Sequence, residues 1–173
     1  MSRHSRPIVL IAAMLFWLLP RAAVAQNVTD VVITEFGIYT SRLQSKEPSS
    51  LATTGFVNRV TDVKLVERTE RICARLELSF GVTYLVVGTP AGAPIELEMR
   101  TLYPAPGVVD PRGKRHLTTS FIANPSIGGS GFRSFTFEYA WEIIPGEWVF
   151  EFLHRGRKVA DQRFTVATAC GIS

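Results

Sequence analysis

The chain has 173 residues, of which 46% are hydrophobic and 20% are charged, a balance typical of a globular protein. Its 19 basic residues exceed its 15 acidic ones, but Arg3, Arg6 and Arg21 precede residue 26 and no acidic residue does. From residue 26 onward the charges nearly cancel, which argues against a nucleic-acid partner because such proteins carry a concentrated basic surface.

The first 25 residues have the pattern of a signal peptide. A positively charged start is followed by an apolar run over residues 8–19, and Ala23-Val24-Ala25 matches the small-x-small pattern that signal peptidase cuts. The run is shorter than the ~20 apolar residues of a membrane-spanning helix. We therefore expect export with cleavage before Gln26, no membrane anchor afterwards, and one domain over residues 26–173.

Most of the remaining chain shows apolar residues that alternate with a period of two, which predicts β-strands with one buried face. The first of these strands is interrupted near Gly37, and residues 62–78 also fit a helix because charged residues are spread through them. The segments 41–54, 88–94, 104–116 and 124–131 are rich in turn-forming or polar residues. The predicted strands are, in chain order, 28–39, 56–66, 82–87, 95–103, 117–123, 135–141, 148–152 and 159–168.

This succession of strands and turns predicts an all-β fold. About eight strands, with turn signals between them and no convincing helix, are typical of an antiparallel immunoglobulin-like β-sandwich of about seven to eight strands. The length from residue 26 onward is sufficient for one hydrophobic core without a metal.

Two cysteines, Cys73 and Cys170, remain after the predicted cleavage site. An oxidising compartment allows them to form a disulfide, and closing a loop of ~100 residues stabilises a fold by about 4–5 kcal/mol in the chain-entropy model. The alternative is two separate thiols, one buried and one on the terminal tail. Their spacing matches no zinc or redox motif, and we expect neither a metal nor another cofactor.

Two loops concentrate positive charge. If they lie at the same end of the sandwich, they form a cationic patch that can bind a phosphate, a sulfated sugar or an anionic lipid head group. Ordinary solvated turns are the alternative. The residues concerned are Arg112, Lys114, Arg115 and His116 in the first loop, and Arg155, Arg157 and Lys158 in the second.

Four aromatic residues, Phe135, Phe137, Tyr139 and Trp141, fall on one face of a predicted strand. Because burying each ring removes about 150–250 Å² from water, we expect these rings in the core. The alternative is an exposed platform on which sugar rings stack.

Glu96 and Glu98 share a face of the predicted strand 95–103, with Cα atoms about 7 Å apart from strand geometry. That spacing is within reach of the two carboxyl groups of an inverting glycosidase. A solvated strand face explains the pair equally, and the chain contains no signature motif of a serine hydrolase, zinc protease or phosphate-binding loop.

Several short motifs resemble one bacterial family of exported domains known only as a domain of unknown function. The resemblance spans about residues 31–166 and implies an exported β domain in the periplasm or the medium. It brings no activity, ligand or catalytic residue. The motifs are Glu35-Phe36-Gly37-Ile38-Tyr39, Phe80-Gly81-Val82, residues 141–148 (WEIIPGEW), residues 150–152, Gly156-Arg157 and Phe164-Thr165-Val166.

Together these features predict an exported immunoglobulin-like module that binds an envelope protein or an anionic ligand without catalysis, through its loops or an edge strand. The first strand, over residues 28–36, is the expected edge. The alternative is an enzyme or carbohydrate-active accessory domain that uses Glu96 and Glu98 or the aromatic stripe. A third possibility is a structural component of the envelope.

Overall fold

The computed structural model describes residues 26–170, which form two β-sheets packed face to face. The predicted signal peptide, residues 1–25, lies outside the described residues. No helix of the described part is long and apolar enough to cross a membrane. A 3₁₀ helix spans Ala140–Glu142. The strands are β1 (Asn27–Pro48), β2 (Phe56–Glu67), β3 (Arg71–Cys73), β4 (Ser79–Thr89), β5 (Leu97–Leu102), β6 (Val108–Val109), β7 (Arg115–His116), β8 (Thr118–Ala123), β9 (Ser130–Thr136), β10 (Gly146–His154) and β11 (Arg157–Ala167).

The strand order is β2-β1-β4-β9 in one sheet and β3-β11-β10-β5-β8 in the other, with β6 and β7 forming a small separate ladder. Neighbouring strands are antiparallel except β3, which pairs in parallel with β11. The predicted immunoglobulin-like sandwich is confirmed. Residues 62–78 enter β2 and β3, so the helical alternative for that segment is wrong.

The core is an aromatic cluster that joins the two sheets. Phe80 on β4 contacts Trp148, Phe150 and Phe164 of the opposite sheet, with ring centroids 5.8, 5.4 and 5.1 Å away. All four side chains are fully buried. The period-two alternation in β4, β10 and β11 therefore corresponds to the face that each strand turns toward the other sheet.

Three of the four rings of the predicted aromatic stripe lie in the core or pack against it, and the fourth, Tyr139, is exposed. Phe137 is completely buried and Phe135 partly so, but β9 ends at Thr136 and Tyr139 is 45% exposed. The Tyr139 ring stacks on the Trp141 ring, with centroids 5.6 Å apart. The strand ends before the 3₁₀ helix, so Tyr139 departs from the alternation that places Phe137 inside, whereas Trp141 is partly buried and packs against the core.

β1 belongs to two ladders. Its residues 27–39 pair with β4, and residues 38–48 pair with β2. Gly37 lies where the ladders meet, with a φ of +141°, and a side chain there would overlap the carbonyl oxygen of Glu67. Residues 41–48, predicted as part of a loop, belong instead to β1. We call the hairpin of residues 40–67 the strap.

The first half of β1 has one unpaired side, because no strand of the described residues pairs with residues 27–37 opposite β4. Arginine side chains occupy two carbonyl groups of this stretch. Arg157 donates to the carbonyl of Val28 at 2.7 Å, and Arg68 donates to that of Thr34 at 3.2 Å. The edge expected over residues 28–36 is thus present, with arginines bound along it.

Cys73 and Cys170 form a disulfide whose Cα atoms are 5.9 Å apart. The bond lies beside the end of the parallel pair of β3 and β11, where the Ala74 amide donates to the carbonyl of Ala167 at 2.8 Å. The short strand β3 is therefore fixed to the sheet by both its ladder and a covalent link.

Candidate functional site

The two basic loops lie at opposite ends of their sheet. Leu102, which precedes the first loop, pairs with Val149 near the start of β10, whereas the second loop follows the other end of β10 at His154. The length of β10 separates them, about 25 Å at the usual rise per residue. The condition under which the two loops would form one cationic patch is therefore not met.

The first basic loop is organised around Asp110. Its carboxylate accepts the backbone amides of Arg112 and Lys114, each at 2.9 Å, and lies 3.1 Å from both the Arg112 guanidinium and His116 Nε2. The hydrogen bond with His116, together with those from the amides and Arg112, holds the pKa of Asp110 well below its usual range. Arg115 donates to the carbonyl of Pro106 at 2.8 Å. Most of the charged side chains of this loop thus form hydrogen bonds within the loop.

The second basic loop is similarly engaged. Arg157 binds the Val28 carbonyl, and Lys158 Nζ lies 3.6 Å from Glu151 and 3.7 Å from Asp161. Of the seven predicted basic residues, only Lys114 and Arg155 have side chains without a hydrogen bond or ion pair to residues 26–170. A binding role for these residues stays a prediction.

Glu96 and Glu98 do not face a common cavity. Glu98 accepts hydrogen bonds from Arg100 at 3.0 Å and from Ser120 at 3.1 Å. Glu96 is exposed just before β5, and its carbonyl oxygen lies 2.9 Å from His154 Nδ1. Neither residue lines the two concave regions described below. The geometry matches a solvated, ion-paired strand face.

The strap covers the gap between β8 and β9, which are edge strands of opposite sheets. At its turn, the carbonyl of Leu51 accepts the Ser120 amide at 3.1 Å. The Thr53 amide donates to Thr119 Oγ1 at 3.2 Å, and Thr53 Oγ1 lies 2.9 Å from the hydroxyl oxygen of Tyr103. The turn of the strap is therefore bound to the five-stranded sheet.

The strap also contacts the end of β9. Lys46 Nζ and Asn58 Nδ2 each donate to the same carboxylate oxygen of Glu138 at 2.9 Å. The Arg59 guanidinium lies 5.5 Å from the centroid of the Phe121 ring. Both sheets thus hold the strap, and space remains on each side of it.

A cavity of about 90 Å³ lies beneath the strap, between β8 and β9. Polar and aromatic side chains alternate around it, and a cation and two carboxyl groups line it as well. The lining residues include Thr53, Tyr103, Thr119, Phe121, Arg133, Phe135, Glu138 and Glu142. This inner space is called the strap cavity.

A larger groove of about 490 Å³ lies beside the strap and is open to solvent. Leu43 and Val60 of the strap line it, together with Lys46, Glu138 and Tyr139. Leu43 is 52% exposed and Tyr139 45%. This outer space is called the strap groove.

The strap cavity is lined by one cation, the partly buried side chain of Arg133. Arg133 donates from Nη1 to the Ser134 carbonyl and from Nη2 to Thr101 Oγ1, each at 3.1 Å. Its guanidinium lies 5.9 Å from the Phe150 ring centroid, and its buried Nε has no hydrogen-bond partner among the described residues. Burial lowers the pKa of Arg133, whose guanidinium nevertheless stays protonated at neutral pH.

At the far end of the cavity, Glu142 is 2% exposed. One of its oxygens accepts the backbone amides of Glu138 at 2.8 Å and Tyr139 at 2.9 Å. Burial raises the pKa of Glu142 to about 7 despite these hydrogen bonds. Burial also raises the pKa of Tyr103 to about 12, so its hydroxyl is neutral.

Sequence reasoning assigned no role to Arg133, Glu142 or Asp110. Arg133 alternates with Phe135 and Phe137, a signal that it faces inward, but the predicted strand began only at residue 135. No group of three or more histidine, cysteine or acidic side chains is placed to hold a metal ion in the part of the chain that the structure describes.

Comparison with known proteins supports the fold. The crystal structure of an immunoglobulin-like protein (PA1606) from Pseudomonas aeruginosa is similar to this chain, with a TM-score of 0.56 and 22% sequence identity over 80% of this chain and 97% of that one. A weaker similarity involves Pseudomonas fluorescens alkylpurine DNA glycosylase AlkC, with a TM-score of 0.33 and 14% identity over 56% of this chain and 26% of that one, and it carries no argument. No curated protein matches the chain.

One family model matches most of the sequence. The match covers residues 27–166, from the first residue of β1 to the penultimate residue of β11, and confirms the resemblance seen in the sequence motifs. The chain therefore belongs to the family described as Domain of unknown function (DUF3859).

Proposed function

We propose that this protein is an exported, non-catalytic binding module that holds a segment of a partner protein in the strap groove. The observation that carries the proposal is the groove itself, where the half-exposed side chains of Leu43 and Tyr139 line a space of about 490 Å³. Sites for small ligands and short segments commonly have volumes of ~300–1,000 Å³.

The shape and chemistry of the groove support a protein partner. Apolar side chains left exposed on a strand are unfavourable in water, and aromatic residues are enriched where proteins contact one another. Lys46 and Glu138 form an ion pair at the margin of the groove, so a polar margin borders the exposed ring and aliphatic chain. This arrangement of apolar centre and polar rim is typical of protein interfaces.

Two observations support export. The N-terminal sequence has the signal-peptide pattern, and the disulfide between Cys73 and Cys170 suits an oxidising compartment. Protein recovered from the periplasm or the medium is expected to begin at Gln26 when its N-terminus is sequenced. A full-length chain that stays in the cytoplasm with both cysteines reduced would contradict export.

Site-specific photo-crosslinking in intact cells tests the binding surface. A photo-reactive amino acid at Leu43 or Tyr139 is expected to give one adduct of reproducible mass. The same probe at Val109, which is 40% exposed on β6, serves as a matched control and is expected to give none. The double variant Leu43→Ser, Tyr139→Ser, probed at neighbouring Val60, is expected to lose the adduct. Identical products at Leu43, Tyr139 and Val109, or no adduct at Leu43, Tyr139 or Val60 of the otherwise unmodified protein, would reject this surface.

A further inference from the structure

The strap cavity contains a positive charge that the protein itself does not neutralise. Arg133 forms hydrogen bonds with a backbone carbonyl and with the Thr101 hydroxyl, but no ion pair with any carboxylate of residues 26–170. Removing part of an ion's hydration without supplying a counter-charge is unfavourable, and here the Arg133 Nε is buried without a partner among the described residues. Neutral hydrogen bonds and the Phe150 ring offset only part of that cost, so the cavity favours an anion.

The nearby acidic side chains do not fill this role. Glu138 is bound by Lys46 and Asn58 of the strap. Glu142 accepts hydrogen bonds from two backbone amides. Because burial raises the pKa of Glu142 to about 7, a large fraction of the molecules carry this carboxyl group protonated at neutral pH. Arg133 therefore keeps a positive charge with which neither of these carboxyl groups forms an ion pair.

The volume and the lining residues of the strap cavity restrict which anions fit it. A volume of about 90 Å³ is several times what one water molecule requires, enough for a molecule of a few heavy atoms. The rings of Phe121 and Phe135 offer apolar surface, and the hydroxyls of Thr53 and Thr119 offer hydrogen bonds. A dianion such as phosphate would leave excess negative charge beside Glu138, whereas a monocarboxylate with a short carbon chain matches both the single cation and the apolar walls.

We propose that the strap cavity binds a small monocarboxylate, with its carboxylate held by Arg133 and its carbon chain against Phe121 and Phe135. A guanidinium offers parallel N–H groups that match the two oxygens of a carboxylate. The cavity lies on the inner side of the strap, and the proposal does not depend on a protein partner in the strap groove.

Titration of the folded protein, residues 26–173 with the disulfide formed, tests this site. The Nε–H signal of Arg133 in ¹H–¹⁵N spectra is expected to shift saturably with sodium propionate and more weakly with sodium acetate. Sodium chloride and sodium phosphate at matched ionic strength serve as controls and are expected to leave the signal in place. Equal shifts with chloride or phosphate, or no saturable shift with propionate, would overturn the proposal.

A pair of variants adds a second measurement. Arg133→Lys keeps the charge but loses the planar pair of donors, and is expected to weaken propionate binding at least tenfold in calorimetric titration. Arg112→Lys, an exposed arginine on the Asp110 loop, is the matched control and is expected to bind as the unmodified protein does. Unchanged affinity in Arg133→Lys would overturn the proposal. If that variant does not fold, the Nε–H titration of the unmodified protein decides alone.

Discussion

Thr53 in the turn of the strap and Tyr103 at the end of β5 place their hydroxyl oxygens 2.9 Å apart. Both side chains are buried, with exposed fractions of 7% and 8%. The Tyr103 ring also contacts the Trp148 ring, with centroids 4.9 Å apart. One tyrosine thus links the strap to the aromatic core, and the position of the strap depends on the packing of the sandwich.

Removing this hydroxyl tests the link. Tyr103→Phe leaves Thr53 Oγ1 without its partner in a buried place and is expected to lower the free energy of unfolding by about 1–2 kcal/mol. Urea denaturation measures the change. Tyr139→Phe removes a hydroxyl from an exposed ring and is expected to change stability by less than ~0.5 kcal/mol. Equal effects of the two substitutions would show that the link contributes nothing.

Glu142 is expected to make stability depend on pH. Its pKa is about 7 in the fold and 4.5 in a reference peptide, so between these values the folded state binds more protons than the unfolded state. The free energy of unfolding therefore falls as pH rises from 4.5 through 7. Glu142→Gln keeps an oxygen for the two amides and removes the charge. It is expected to be more stable than the unmodified protein by about 1–3 kcal/mol at pH 8 and to show a flatter pH profile.

The control for this prediction is Glu147→Gln, because Glu147 is exposed and paired with Arg163 at the surface. It is expected to leave the slope between pH 5 and pH 8 unchanged. If Glu142→Gln is no more stable at pH 8 than at pH 5 relative to the unmodified protein, the buried carboxyl is not protonated in the fold.

Phe137 and Tyr139 are two positions apart but are expected to differ sharply in their contribution to the stability of the fold. Phe137→Ala empties a fully buried site and is expected to cost about 3–5 kcal/mol of stability. Tyr139→Ala removes a ring that is 45% exposed and stacked only on Trp141, and is expected to cost below ~1 kcal/mol. Chemical denaturation of both variants measures the difference. Similar losses would mean that the strand continues past Thr136.

The disulfide is expected to stabilise the fold. The double variant Cys73→Ser, Cys170→Ser releases a constraint over 97 residues and is expected to lose about 2–5 kcal/mol. Reduction of the unmodified protein with a phosphine should lower the melting temperature as much as the double substitution does. Intact mass without reductant should show two hydrogens fewer than the dithiol form, and two titratable thiols in exported protein would contradict the bond.

The sequence predicted a strand that is apolar on both faces, residues 82–87, and strands with clean alternation, such as residues 148–152. Residues 82–87 fall within β4, and residues 148–152 within β10, because both strands turn large side chains toward the opposite sheet. β8 was also predicted within one residue. For such strands, burial on one face imposes a pattern that a single sequence reveals.

The strap and the candidate sites were harder to predict. Residues 40–48 are exposed on both faces and pair only with β2, so they carry no alternation that distinguishes them from a loop. Gly37 marked an interruption, but it gives no information on which strand pairs beyond it. Arg133 on β9 and Glu142 in the 3₁₀ helix line one cavity only because the strap covers both, and the spacing of residues along the chain does not encode where the strap lies.

Arg68 and Arg157 have a consequence for how copies of this protein behave at high concentration. Open strand margins are where β proteins stack on one another and grow into fibrils. Here guanidinium groups from the same chain already occupy the acceptors at Val28 and Thr34, so a second molecule finds fewer free sites and an unfavourable positive charge. We therefore expect Arg68 and Arg157 to oppose stacking along the margin of β1, and expect substitution of both arginines by leucine to favour polymerisation.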